Sequence, residues 1–202
     1  MVSKLLLAVQ ENILKGKREN ADPKVLGALI DHYYEIRAGI GANKNPKLYG
    51  AFPTDAYSHT PSNAGVQQPG MTGQVKEELL TRMGELGCFV TKGKVSFNPF
   101  LLRAQEFTTQ PTTFRYLDIN EVWQTIDLDS GSLGFTWCQV PIVYSISNDA
   151  DAQVTIYSED GEQYAVKSNE LNAEFSQMLF ARSGGIVRID VSVSRSQLYT
   201  ES

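Results

Sequence analysis

The chain has 202 residues, 42% hydrophobic and 20% charged, with a net charge of -5 and an isoelectric point near 5.1. That length can bury a sizeable core as one domain or two small ones. Negative charge with no Lys/Arg cluster argues against nucleic acid or an anionic membrane as a partner.

The opening "MVSKLLLAVQENILKG" is too short in its apolar part to be a secretory leader. Gln10, Glu11 and Asn12 follow at once, with no small-residue cleavage site. Val2, Leu5, Leu6, Val9 and Ile13 share one helical face, which predicts an amphipathic helix over 2–15. That pattern runs into Met1 with no capping residue, which raises the expectation of a missing N-terminal part. Asp22-Pro23 reads as an N-cap followed by proline at the first helical position, where its missing N–H costs nothing. Val25, Leu26, Leu29, Ile30 and Tyr33 give the next stripe, closed by Gly39 and Gly41. The two helices form an αα-hairpin whose apolar faces need a further partner.

Residues 49–80, "YGAFPTDAYSHTPSNAGVQQPGMTGQVKEELL", begin with more than twenty positions that have neither helical nor strand periodicity. Connections of that length inside a compact domain are either functional or disordered. Asp55, Tyr57, His59, Gln67 and Gln68 supply donors, acceptors and an aromatic face within fourteen positions, an inventory suited to a sugar. The competing reading is a surface Ω-loop stiffened by Pro53, Pro61 and Pro69, its polar groups satisfying one another. A third helix then runs to Gly87, with Thr72 as its cap and Val75, Leu79, Met83 and Leu86 along one side. Gly70 and Gly73 let backbone N–H groups approach a ligand, and the helix dipole favours phosphate or carboxylate there. A plain cap with no ligand fits the same residues. Glu77 and Glu78 sit in the first turn, where negative charge is favourable and where one could face the loop. His32 lies on the polar side of a helix and receives no role.

From Phe89 the sequence turns to short β-branched and aromatic runs separated by Asp129-Ser130-Gly131, Asn148-Asp149 and Asp160-Gly161. "CFVTKGKVSF" predicts a hairpin at Lys92-Gly93, and "SNELNAEFSQMLFARSGG" a short helix. The whole predicts an α+β chain, a helical region 1–88 with a long polar loop 42–72 followed by an antiparallel β-sandwich over 89–202. Cys88 and Cys138 lie in apolar stretches with no Cys or His at ligand spacing. They read as free thiols of a cytoplasmic protein without metal. Cys138 has no placed histidine base and is no nucleophile. Trp123, Trp137 and Tyr144 fit either a sugar-stacking surface or, by strand alternation, the core.

"LYGAFPTDAYSHTP…AGVQQPGMTGQVKEELLTRMGELG", followed by "GSLGFTWCQVPIVYSIS", resembles the C-terminal region of bacterial proteins similar to cellobiose phosphorylase. Those are inverting glycoside phosphorylases and hydrolase relatives built on an (α/α)6 barrel with β-sandwich parts. The likeness spans roughly residues 1–150, and "MTGQVKEE" departs from the family's small-residue run after Thr-Gly. It implies an oligosaccharide or sugar phosphate as ligand, and phosphate contacts at His59, at Gln67 or Gln68, and at Thr72 with Gly73. It implies no cofactor beyond inorganic phosphate as co-substrate, and no catalytic residue within this stretch. The family's general-acid aspartate lies upstream, so the helices would be the last of a barrel completed by an N-terminal segment or a second copy. A non-enzymatic module that packs on a partner chain, or binds carbohydrate, is the alternative.

Overall fold

A computed structural model describes residues 2–40, 47, 72–147 and 153–200. The chain divides into two compact units, 1–84 and 85–202. Among the described residues the first unit is helical: α1 (Val2–Arg18), α2 (Pro23–Gly39) and α3 (Thr72–Leu86), the last ending within the second unit.

The cap read from sequence is present, Asp22 accepting from the backbone N–H groups of Lys24 and Val25 ahead of Pro23. The buried face of α1, however, is shifted from the expected one. Leu5 is 53% exposed, whereas Ser3, Leu6, Gln10 and Ile13 are buried. Gln10 explains the shift: its amide nitrogen donates to the Thr81 carbonyl at 2.7 Å and lies 3.3 Å from the Tyr33 hydroxyl. A polar side chain that finds such partners is stable inside, and it carries the stripe with it. On α3 the same correction applies. Leu86 is buried as expected, but Leu79 is 62% exposed, and Thr81, Gly84 and Glu85 are buried as well. A Cβ at Gly84 would collide with the Gln10 amide, so this glycine makes room for that hydrogen bond.

In the second unit Gly87, with a positive φ of 68°, stops α3 as expected. Strands β1 (Cys88–Thr91) and β2 (Lys94–Phe97) form the hairpin expected at Lys92-Gly93, both turn residues having positive φ. Strands β3 (Thr112–Leu117) and β4 (Trp123–Leu128) make a second antiparallel hairpin. The main sheet has β5 (Ser132–Trp137), β6 (Val140–Ser147), β7 (Gln153–Ser158), β8 (Gln163–Val166) and β9 (Ile186–Ser194) in the order β5-β6-β9-β7-β8. A helix, α4 (Ala173–Ala181), connects β8 to β9.

The class is α+β, as expected. The main sheet departs from an all-antiparallel arrangement at one ladder, because β9 enters the middle and runs parallel to β6. A strand covered on both faces reads as a continuous apolar run, and Val140, Ile142, Val143 and Tyr144 of β6 are all buried.

One face of the sheet carries the core. Ile142, Tyr144, Val154, Ile156, Ile189 and Val191 cluster there with Cys88, Val95 and Phe97 of the first hairpin and Leu179 of α4. Ser176 of α4 ties these layers together, its hydroxyl accepting from the Val95 N–H at 3.0 Å and donating to the Asn172 carbonyl at 2.8 Å. On the opposite face the β3–β4 hairpin lies against Gly134 of β5. A Cβ there would sit 2.8 Å from Phe114 Cγ and 3.3 Å from Leu128 Cδ1.

Candidate functional site

The expected site residues divide by where they fall. Asp55, Tyr57, His59, Gln67 and Gln68 lie outside the described residues, as does most of the loop 42–72. Thr72 and Gly73 are the first two residues of α3, so the helix does begin at the Thr-Gly pair, with Thr72 inside it rather than ahead of it. Glu78 is exposed. Glu77 is half-buried, and its Oε2 is shut away from solvent with no hydrogen-bond partner. A carboxylate oxygen in that state costs free energy until a donor reaches it. His32 pairs with Glu35 at 2.8 Å on an exposed helical face.

The three aromatic residues separate cleanly. Tyr144 is fully buried, its hydroxyl donating to the Leu86 carbonyl at 2.7 Å, so it is core. Trp137 is half-buried against the core. Trp123 is 59% exposed on the outer face of the β3–β4 hairpin, with the Arg115 guanidinium 4.2 Å above its ring. Cys138 is half-buried, and burial pushes its thiol above the ordinary range, opposed by Arg182 and then by Trp137. A thiolate nucleophile needs the reverse.

Sequence reasoning missed a groove in the second unit. It has a volume of about 320 Å³ and is walled by the β3–β4 turn, the tip of the β5–β6 hairpin and the segment between α4 and β9. Strand alternation puts Tyr116 and Gln124 on the face of their hairpin that turns inward with Phe114, while Arg115 and Trp123 face out. Asp118 builds the first wall. One carboxylate oxygen accepts from the N–H groups of Asn120 and Val122, each at 2.9 Å, and the other from the Gln124 amide at 2.9 Å. These bonds, the Val122 N–H foremost, hold the Asp118 carboxyl below its ordinary pKa.

The second wall is Gln139. "TWCQVP" reads as uninterrupted strand, yet the chain reverses at Cys138-Gln139, with φ of 51° and 64°. A two-residue turn with both φ positive normally uses Asn-Gly or Gly, and two ordinary side chains there carry strain. The turn delivers the Gln139 amide nitrogen to the Asp118 carbonyl at 3.0 Å, and leaves the amide oxygen buried with no donor. Gly184 permits the third wall to close. Its φ is 88°, and a Cβ there would stand 3.2 Å from Ile119 Cδ1. Tyr116, Asn120, Glu159 and Ser183 complete the polar lining, and Ile119, Pro141 and Ile186 supply apolar surface. Burial, then Asp118, raises the Tyr116 hydroxyl pKa, partly offset by Arg188, so Tyr116 is a neutral donor at neutral pH. Among the described residues no group of His, Cys, Asp and Glu is arranged to hold a metal ion, and no helix is long and apolar enough to cross a membrane.

No protein-family model matches this chain, and no curated protein matches its sequence.

Proposed function

We propose that this chain belongs to a carbohydrate-active protein of the glycoside phosphorylase or hydrolase type, in which residues 49–80 contribute contacts to a sugar, or to phosphate beside it. The observation that carries the reading is Glu77. One of its oxygens is buried without a donor one turn inside a helix that begins at Thr72-Gly73. A sugar hydroxyl supplies the missing donor, and the first N–H groups of α3, which have no partner within the helix, favour an anion nearby. The resemblance of "AYSHTP…QQPGMTGQ" to the phosphate-contacting segment of those enzymes supports the same ligand class. Inorganic phosphate is the only co-substrate the reading calls for, and no catalytic acid is assigned to this chain.

Calorimetric titration of the full chain with gluco- and galacto-disaccharides, with and without phosphate, tests it. Binding is expected to weaken at least fivefold in Glu77→Ala and His59→Ala. Equal affinity in wild type and both variants, or no heat with any ligand, rejects the reading.

A second reading, a non-enzymatic module packed on a partner chain, has one observation in its favour. Leu79 and Leu80 of α3 and Leu5 of α1 are each about half exposed or more. Exposed leucines on two helices are what a protein-facing surface carries. Light scattering across a concentration series distinguishes the two, since a monomer at every concentration removes self-association as the cover.

A further inference from the structure

The groove walled by Asp118, Gln139 and Ser183 is a built site, and the geometry points to a neutral, monosaccharide-sized polyhydroxylated ring as its ligand. This inference is independent of the loop and α3 on which the proposed function rests. Three observations converge on it. First, the walls are fixed before any ligand arrives. Asp118 spends both carboxylate oxygens on its own turn and on Gln124, while its carbonyl is held by Glu121 N–H and the Gln139 amide. Groups so engaged set position, and binding then costs little ordering.

Second, the groups that face the space between these walls are uncommitted. Among the described residues the Tyr116 hydroxyl, the Asn120 side-chain amide and the Ser183 hydroxyl make no hydrogen bond, and the Gln139 amide oxygen is buried with none. Hydroxyls and amides that both donate and accept match sugar hydroxyls, which do the same. The Ile119 and Pro141 side chains give the apolar surface on which the C–H face of a ring rests. Asp118 and Glu159 set two carboxylates at the rim, which disfavours phosphate and other anions. A volume of about 320 Å³ is at the small end for ligand sites and admits one ring rather than a chain of them.

Third, the backbone is strained where the site needs it. Cys138 and Gln139 both adopt the left-handed region at a turn that glycine would make freely. Strain retained at a cleft is the pattern of a position kept for its side chain. Gln139 is that side chain. Its amide nitrogen locks two hairpins together, and its amide oxygen is held in the groove wall without a donor.

The test is amide-resolved NMR on the full chain, titrated with glucose, galactose and mannose up to about 50 mM, well above a Kd of order 1 mM. Glycerol and inorganic phosphate serve as controls. Saturable shifts are expected at Asn120, Gln139 and Ser183 with at least one pyranose and with neither control. Kd should rise at least fivefold in Gln139→Gly, a change the turn accepts without strain, and in Tyr116→Phe. The inference is overturned by a groove silent to every sugar, by equal response to glycerol, or by a Kd unchanged in both variants. Shifts confined to Thr72–Glu77 with a silent groove would overturn it and leave the proposed function standing.

Discussion

The Gln139 side chain donates to the Asp118 backbone carbonyl at 3.0 Å, joining the tip of the β5–β6 hairpin to the turn of β3–β4. The bond is made by a residue whose own backbone is strained, with φ of 64°. Left-handed backbone costs an ordinary residue about 1–2 kcal/mol, and a buried unpartnered amide oxygen about 1–3 kcal/mol more. The hydrogen bond to Asp118 returns only about 0.5–1.5 kcal/mol. Gln139→Gly is therefore expected to raise stability while it weakens sugar binding. Thermal unfolding should show a Tm higher by a few degrees, on the order of 2–4 °C per kcal/mol for a chain of this size. A lower Tm would mean that the two hairpins depend on the amide more than the strain costs.

Asp118 also makes a prediction about pH. Its folded pKa is depressed, first by the Val122 N–H and then by Gln124. A group of this kind stabilises the fold above its unfolded pKa of about 3.9, and that contribution is lost as pH falls through the folded value. Asp160 shifts in the same direction through Ser158 and the Glu162 N–H. Urea unfolding of the wild type between neutral pH and about pH 2 should show stability falling from about pH 4 downward. Asp118→Asn should flatten that fall, and a parallel profile in the variant would remove the Asp118 turn from the account.

How much of this was legible in the sequence depends on which signal each element carries. The Asp22-Pro23 cap, the Lys92-Gly93 hairpin and the stop at Gly87 announce themselves because turn chemistry is local. The β5–β6 hairpin does not. Cys138-Gln139 carries no Gly, Asn, Asp or Pro, so "GSLGFTWCQVPIVYSIS" reads as one long strand. The groove was hidden with it, since its walls come from residues 116–124, 139–141 and 183–187, which only the sheet order brings together. The buried faces of α1 and α3 were misjudged for a related reason. Periodicity counts apolar residues and cannot foresee that Gln10 finds a carbonyl and a hydroxyl 71 and 23 positions away.

Gly84 tests that last point. Helix propensity alone favours Gly→Ala by roughly 1 kcal/mol in a helix interior. Here the added Cβ would meet the Gln10 amide, a group held by Thr81 and Tyr33. Expelling it leaves the Thr81 carbonyl without that partner and breaks a buried hydrogen bond, a loss of about 1–3 kcal/mol. Gly84→Ala is therefore expected to destabilise in denaturant unfolding, and Gln10→Ala combined with it should recover much of the loss. A stabilised single variant would mean that Gln10 moves aside freely.

Gly134 is the seat of the β3–β4 hairpin and hence of one groove wall. A Cβ there would press on Phe114 Cγ at 2.8 Å, the root of a rigid ring, and on Leu128 Cδ1 at 3.3 Å. Overpacking of this sort costs about 1–3 kcal/mol. Gly134→Ala should lower the free energy of chemical unfolding by that much, while also loosening sugar binding, because Tyr116 and Gln124 ride on the displaced hairpin. Trimming the obstructing ring in the double variant Gly134→Ala/Phe114→Leu should restore part of the stability. The two changes must then couple rather than add, as contacting residues do. Strict additivity in that cycle would show that the hairpin does not rest on Gly134, and the groove would lose the wall that Tyr116 supplies.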